Sequence, residues 1–327
     1  MIIVRSPLRI SLGGGGTDLA SYYEKYKGFL IAGAITKYIY ITITDPFRDD
    51  IILNYSEREL VEDVRHIKHP IFRAVLSENE DLGRIEIHSI ADIPSGTGLG
   101  SSSAFTAALL RAVHHQNAVE MTKTELAEET CRIEIEELGM PIGKQDQYAS
   151  VFGGLNEFTF QTDGTVDVTP MKLSRSDIDL FCDHLLIYYT GKQRAAQDLL
   201  VDQNTKSKKN DQQMIDNLHR TKEIGYTSAE AIKNLDVEKY GALTAQHWEN
   251  KVKRSNGMAP ENVLDLHSKG IEAGAIGGKL VGAGGNGFLL FVVRNPNEFR
   301  LKMLSHGLRD VRFDFEAHGT QVIYDQR

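Results

Sequence analysis

Apolar and polar positions alternate over short stretches in the first half of the chain, with glycine clusters between them. Residues 2–10 read as a strand, and Pro7 inside it predicts an edge or a bend, because proline brings no N–H to a ladder. Four glycines, Gly13 to Gly16, follow, then Thr17 and Asp18 and a helical stretch over 19–26. Residues 34–44 and 85–90 alternate and are rich in Ile, Thr and Tyr, which predicts strands. Helices are predicted over 103–116 and 122–138. The second opens on a capping-box pair, Thr122 and Glu125, and stops at Gly139 and Pro141. Gly153 and Gly154 turn into a strand over 155–160, and residues 162–165 read as a hairpin turn. A further apolar strand is expected over 185–190. From 195 to 243 the period is helical and charged, with Gly225 as the expected break and Lys206 to Lys209 as a solvated face. A second glycine-rich zone, 274–287, precedes a strand over 288–294, a helix over 296–307 and a strand near 321–324.

This order predicts an α+β protein with mixed sheets, not a regular βαβ alternation. Strand-rich, glycine-rich sequence gives way to charged helices near Lys172, so two domains are expected, 1–172 and 173–327. With 41% hydrophobic and 25% charged residues the chain reads as an ordinary soluble globular protein. A net charge of −8 argues against a general nucleic-acid or anionic-membrane binder. Two cysteines, Cys131 and Cys182, are too few for a disulfide framework and read as buried thiols. The apolar runs at residues 1–5 and 288–293 are too short for a signal peptide or a membrane span, so a cytoplasmic setting is expected.

The chemistry concentrates in Pro94-Ser95-Gly96-Thr97-Gly98-Leu99-Gly100-Ser101-Ser102-Ser103-Ala104, just before an apolar helical run. Glycines let a backbone curl around a ligand, serines cap helices, and a helix N-terminus offers unpaired N–H groups with partial positive charge. Together they point to a phosphate site. It is not a Walker A loop, since neither Gly143-Lys144-Gln145 nor Gly191-Lys192-Gln193 continues with Ser or Thr. Gly282-Ala283-Gly284-Gly285-Asn286-Gly287 matches Gly-x-Gly-x-x-Gly, but a strand follows it where a dinucleotide fold needs a helix. The protein-kinase signatures are absent.

Three islands remain: 7–18, the loop at 94–104, and 279–287. In this order and spacing they resemble the three motifs of the GHMP kinases. That resemblance implies a two-domain α+β fold, with an N-terminal mixed α/β domain and a C-terminal ferredoxin-like domain. It implies a phosphotransferase using ATP and Mg2+. Pro94, Gly96, Gly98, Leu99, Gly100, Ser101, Ser102 and Ser103 would surround the ATP phosphates. Ser102 and Glu134 would hold the metal, with Glu136 and Glu137 as competing neighbours of Glu134. Asp146 matches the residue that takes or orients the acceptor proton. Arg9 matches a cation beside it, with a plain structural ion pair as the other reading. Thr17 and Asp18 match sugar-binding positions, although they could simply cap the next helix. Gly284 and Gly285 would face the substrate. Asn286 departs from the usual glycines there, and Lys279 reads as electrostatic support or a strand-end lysine.

A narrower resemblance, carried by 5–11, 143–149 and 277–280, is to bacterial heptose kinases, with fucokinase-like sugar 1-kinases close behind. It implies D-glycero-D-manno-heptose 7-phosphate as acceptor, phosphorylated at its anomeric oxygen. A 7-phosphate calls for a cationic pocket, for which Lys144, Lys192, Arg194 and Lys253 are the candidates. The oligomeric state stays open, a homodimer included.

Overall fold

A computed structural model describes residues 1–47, 49–78, 84–191, 197–209, 211–254 and 257–326. Its strands are β1 (Ile2–Gly13), β2 (Gly28–Thr44), β3 (Ile51–Asn54), β4 (Arg58–Val61), β5 (Ile85–Ala91), β6 (Leu155–Phe160), β7 (Val166–Pro170), β8 (Leu185–Tyr189), β9 (Ala275–Leu280), β10 (Phe288–Val293), β11 (Asp310–Val311) and β12 (Gln321–Asp325). Its helices are α1 (Ala20–Tyr26), α2 (Pro70–Ser77), α3 (Ser101–Gln116), α4 (Lys123–Cys131), α5 (Gln145–Phe152), α6 (Arg175–Asp183), α7 (Gln197–Lys208), α8 (Gln212–Lys233), α9 (Val237–Val252), α10 (Glu261–Glu272) and α11 (Pro296–Ser305).

The β2 strand is the spine of a mixed sheet ordered β12-β1-β2-β5-β3-β4. Its first part, Gly28–Gly33, pairs with β6, and its last part, Ile39–Thr44, pairs with β5. Alternating β-branched residues on one face, Ile31, Ile35, Ile41 and Ile43 among them, feed the main core. Pro7 produces the expected bend: the β1–β2 register shifts between Pro7 and Leu8, beyond the point where β12 stops pairing with β1. Helix α3 lies on this sheet through small residues, Ala104, Ala107, Ala108 and Ala112, which let it sit close to the strands.

A second, antiparallel sheet runs β11-β8-β10-β9. Every residue of β10 is buried, because its faces enter different cores. Phe288, Leu290 and Val292 join the main cluster; Leu289, Phe291 and Val293 pack with Trp248, Val263 and Phe299. This explains a strand with no polar alternation. The α+β class expected above is the one observed. The chain's last strand returns across residue 172: β12 pairs with Ile2–Arg5, and Phe315 bridges Ile35.

Gly225 does not break a helix. Helix α8 runs unbroken through it, and a Cβ there would lie 3.0 Å from the Cα and 3.1 Å from the nitrogen of Gly14. The residue is small so that α8 can cross the first glycine run. Gly225→Val is therefore expected to destabilise the fold by about 1–3 kcal/mol despite its better helix propensity. A thermal melt checks this, and an unchanged or raised Tm would contradict the close crossing.

Candidate active site

Strand β1 carries Arg9 inward. Its backbone N–H donates to Leu99 O at 3.0 Å, and its Nη1 donates to Gly98 O at 2.7 Å. The loop before α3 is thus tied to β1 by main chain and side chain together. Gly96, Gly98 and Gly100 hold φ of 72°, 81° and 76°, a left-handed conformation at every second residue that only glycine adopts cheaply. Gly100 is the N-cap of α3, so Ser101, Ser102 and Ser103 form its first turn, where backbone N–H groups have no helical partner. Pro94 is exposed at the mouth, and Leu99 is buried in the core.

The third glycine zone interlocks with this loop. A Cβ on Gly282 would stand 2.6 Å from Gly98 O, and one on Gly287 would stand 2.2 Å from Thr97 O. Gly284 and Gly285 turn away, towards Met258, with Gly285 N–H donating to Met258 O at 3.0 Å; Gly282 and Ala283 line the cavity instead. Asn286 is not left-handed. Its Oδ1 accepts from Asn262 at 2.8 Å, so its role is to brace the loop.

Helix α4 opens on the expected Thr122–Glu125 capping box, then continues as a π-helical segment, Arg132–Glu137. Such wider turns often re-aim side chains at functional sites. Glu134 is fully buried here, while Glu136 and Glu137 face solvent. One Glu134 oxygen accepts from Ser102 at 2.7 Å and Thr106 at 3.2 Å; the other accepts from Ser103 at 2.6 Å and Gln147 at 2.8 Å. Burial pushes its carboxyl pKa up, and the hydrogen bonds from Ser103, Ser102 and Gln147 oppose that shift. Among the described residues no group of three His, Cys, Asp or Glu side chains forms a metal cluster. Ser102 Oγ and Glu134 Oε1 nevertheless make an adjacent oxygen pair. That is the donor type Mg2+ accepts when phosphates and water complete its shell.

Asp146 stands in the first turn of α5, with its side chain 25% exposed. Its Oδ1 takes Arg9 Nε at 2.8 Å and lies 2.7 Å from Arg9 Nη2, whereas the guanidinium itself is buried. Asp18 is buried next to it. Asp18 Oδ1 accepts from Gly16 N–H at 3.0 Å, and Oδ2 accepts from Gln145 N–H at 3.4 Å. Burial and then the charge of Asp146 raise its pKa. Thr17 does not reach the cavity; its hydroxyl is spent on the backbone of Gly14 and Phe29.

Arg9, Asp18, Ser102 and Asp146 meet in one cavity of about 220 Å³ between the two sheets' loops, and Glu134 lies behind Ser102 outside its lining. Four basic residues on its wall were missed or left undecided by the sequence: His247, Lys251, Arg254 and Lys279. All are buried. Lys279 Nζ donates to Leu12 O at 2.8 Å, and burial, then Arg9, pull its pKa down to about 7. Lys251 Nζ donates to Leu280 O at 2.9 Å and Gly282 O at 2.5 Å. Burial drives the pKa values of Lys251 and His247 well down. His247, Lys251 and Arg254 lie beyond the charged helical stretch expected over 195–243, and no local signal in the sequence marks them. The expected cationic candidates lie elsewhere. Lys144 pairs with Glu128 at 2.8 Å, Lys253 lines a different groove beside Asp211, and Lys192 and Arg194 fall outside the described residues.

A glycine-built loop on a helix N-terminus, interlocked with a second glycine loop and facing an Arg–Asp pair, is the arrangement that the resemblance to the GHMP kinases implies. Residues 65–154 of this chain match the GHMP kinases N terminal domain. Over its length it is similar to the D-glycero-alpha-D-manno-heptose 7-phosphate kinase of Campylobacter jejuni, 28% identical over 312 residues that cover 92% of this chain and 91% of that one. It is also 27% identical, over 342 residues, to the L-fucokinase/L-fucose-1-P guanylyltransferase of Bacteroides fragilis, covering 89% of this chain and 34% of that larger protein. In fold it matches the crystal structure of a D-glycero-D-manno-heptose 1-phosphate kinase from Bacteroides thetaiotaomicron with a TM-score of 0.82, over 100% of both chains at 24% identity. Among the described residues no helix is long and apolar enough to cross a membrane.

Proposed function

We propose that this protein is a sugar kinase that moves the γ-phosphoryl group of ATP to the anomeric oxygen of D-glycero-D-manno-heptose 7-phosphate, giving the 1,7-bisphosphate. The observation that carries the reading is the Arg9–Asp146 pair, anchored to Gly98 of the phosphate loop. It puts a proton acceptor and a fixed cation beside the site where the transferred phosphoryl would stand.

The loop's N–H groups and the first turn of α3 bind the ATP phosphates. Arg9 occupies Asp146 Oδ1, which leaves Oδ2 to receive the acceptor proton. As that proton leaves the anomeric hydroxyl, its oxygen bonds to the γ-phosphorus. The bond from that phosphorus to the bridging oxygen breaks, and ADP departs with the electron pair. An anomeric hydroxyl is more acidic than an ordinary alcohol, so a carboxylate suffices as base. Arg9 stabilises the charge on the acceptor oxygen and the phosphoryl in flight. Asp18 is arranged to accept from sugar hydroxyls and so to orient the ring. Ser102 and Glu134 would hold Mg2+, which neutralises phosphate charge when bound. The buried thiols Cys131 and Cys182 support a cytoplasmic setting.

The test is ADP release with Mg-ATP across sugars and sugar phosphates, with phosphorus NMR to locate the new ester. Turnover of the heptose 7-phosphate with a new anomeric phosphate signal is expected. Turnover of L-fucose but not of the heptose phosphate would overturn the substrate. No turnover with any sugar would overturn the kinase reading.

A further inference from the structure

Arg254 has an arrangement that catalysis does not explain. It follows the C-terminus of α9 and is buried. Its Nε donates to Asn217 Oδ1 at 3.0 Å and its Nη2 donates to Thr221 Oγ1 at 2.9 Å. Asn250 locks both of those partners, donating to Thr221 Oγ1 at 2.8 Å and to Asn217 O at 2.9 Å. The guanidinium is thus aimed by a rigid, neutral scaffold. Among the described residues its other amino group, Nη1, reaches only Gly15 O and Gln203 Oε1, both at a long 3.4 Å. Gly16 has no side chain in the way: a Cβ there would sit 2.5 Å from Nη1.

Every hydrogen-bond partner of Arg254 among the described residues is uncharged. The charge of Asp18 reaches Arg254 but its carboxylate does not hydrogen-bond to it, so a rigidly held, buried guanidinium keeps an amino group directed at the cavity, where an anion would complete it. The position says which anion. None of Arg254's partners among the described residues belongs to the proposed ATP loop, whereas Lys251, one turn earlier, binds carbonyls of the segment that packs on Gly98. Asp18 links the two regions, with one oxygen on Gly16 beside Arg254 and the other on Gln145 beside Asp146. An acceptor lying along Asp18 presents one end to Asp146 and the other to Arg254.

We propose that Arg254, with Gln203 beside it, binds a phosphate already carried by the acceptor at the end remote from the reacting hydroxyl. The inference rests on the sugar-kinase reading above and assigns the residue that selects a sugar phosphate over the free sugar.

The test is a KM and kcat comparison of wild type and Arg254→Gln with heptose 7-phosphate, the unphosphorylated heptose and ATP. Loss of one charge-assisted contact should raise KM for the phosphorylated acceptor about 10- to 100-fold, with a much smaller change for the free sugar or ATP. Arg254→Lys should recover part of the loss, and heptose 7-phosphate added without ATP should raise the Tm of wild type but not of Arg254→Gln. Equal losses on both acceptors, or a loss confined to ATP, would overturn the subsite while leaving the kinase reading intact. If wild type phosphorylates only free sugars, the subsite and the heptose phosphate reading both fail. If Arg254→Gln does not fold, an Arg254→Lys enzyme whose preference for the phosphorylated acceptor is reduced but not abolished supports the subsite, and one that keeps the preference in full, or loses activity on both acceptors by the same factor, overturns it.

Discussion

Asp146→Asn is expected to lower kcat by about 10²- to 10⁴-fold while Mg-ATP still binds. The amide keeps an oxygen for the Arg9 contacts, so the side-chain position survives. What it loses is an oxygen able to accept a proton. The competing view, that Asp146 serves only to neutralise a buried guanidinium, predicts something different. Removing one partner of a buried ion pair costs about 3–5 kcal/mol, so the main effect would then be a fall in Tm, with activity following the folded fraction. Single-turnover rates, ATP affinity and a melt on one preparation separate the two. A near-wild-type rate at saturating substrate would remove Asp146 from the chemistry. A large Tm drop with a normal rate per folded molecule would make the pair structural.

Glu134→Gln is expected to cut kcat/KM by about 10²- to 10³-fold at limiting Mg2+ and to raise the Mg2+ concentration needed for half-maximal rate. The same change should leave the Tm of the unliganded protein equal or higher. Glu134 is fully buried, and its carboxylate is held by three hydroxyls and one amide with no cation. An uncharged isostere relieves that burial, and the hydroxyls of Ser102 and Thr106 can turn to accept from the new amide. Opposite movements of stability and activity are the mark of a side chain kept for a cation and not for the fold. An unshifted Mg2+ dependence would rule Glu134 out as a metal ligand. Parallel losses of Tm and rate would make it a structural buttress for α3.

The loop at 94–104 was legible in the sequence because its signals are local. Left-handed φ at Gly96, Gly98 and Gly100 and the unpaired N–H groups after Gly100 are properties of a few consecutive residues. The capping box at Thr122 and the bend at Pro7 are of the same kind. Glu134 could be narrowed only to a run of three acidic residues. The π-helical turn that buries it and exposes Glu136 and Glu137 forms against α3, and nothing within the run specifies that partner. Gly225 was misread for a related reason. In a single helix glycine is a weak point; against Gly14 it is the residue that lets α8 pass.

The sequence by itself therefore determined the glycine loop and the helix start behind it, on which the proposed donor side rests, since both are written in backbone conformation and helix capping. The resemblance named Arg9, Asp18 and Asp146 for the proposed acceptor side, but only tertiary structure brought them together and added Arg254. Arg9, Asp18, Asp146 and Arg254 lie on four separate elements, and their separation along the chain carries no distance. Only the packing of α8 on the first glycine run, and of the second sheet's loops on the phosphate loop, brings their charges into one cavity. The same packing makes Arg254 a buried cation in a neutral frame, which in an unfolded or exposed helix would be one more solvated arginine.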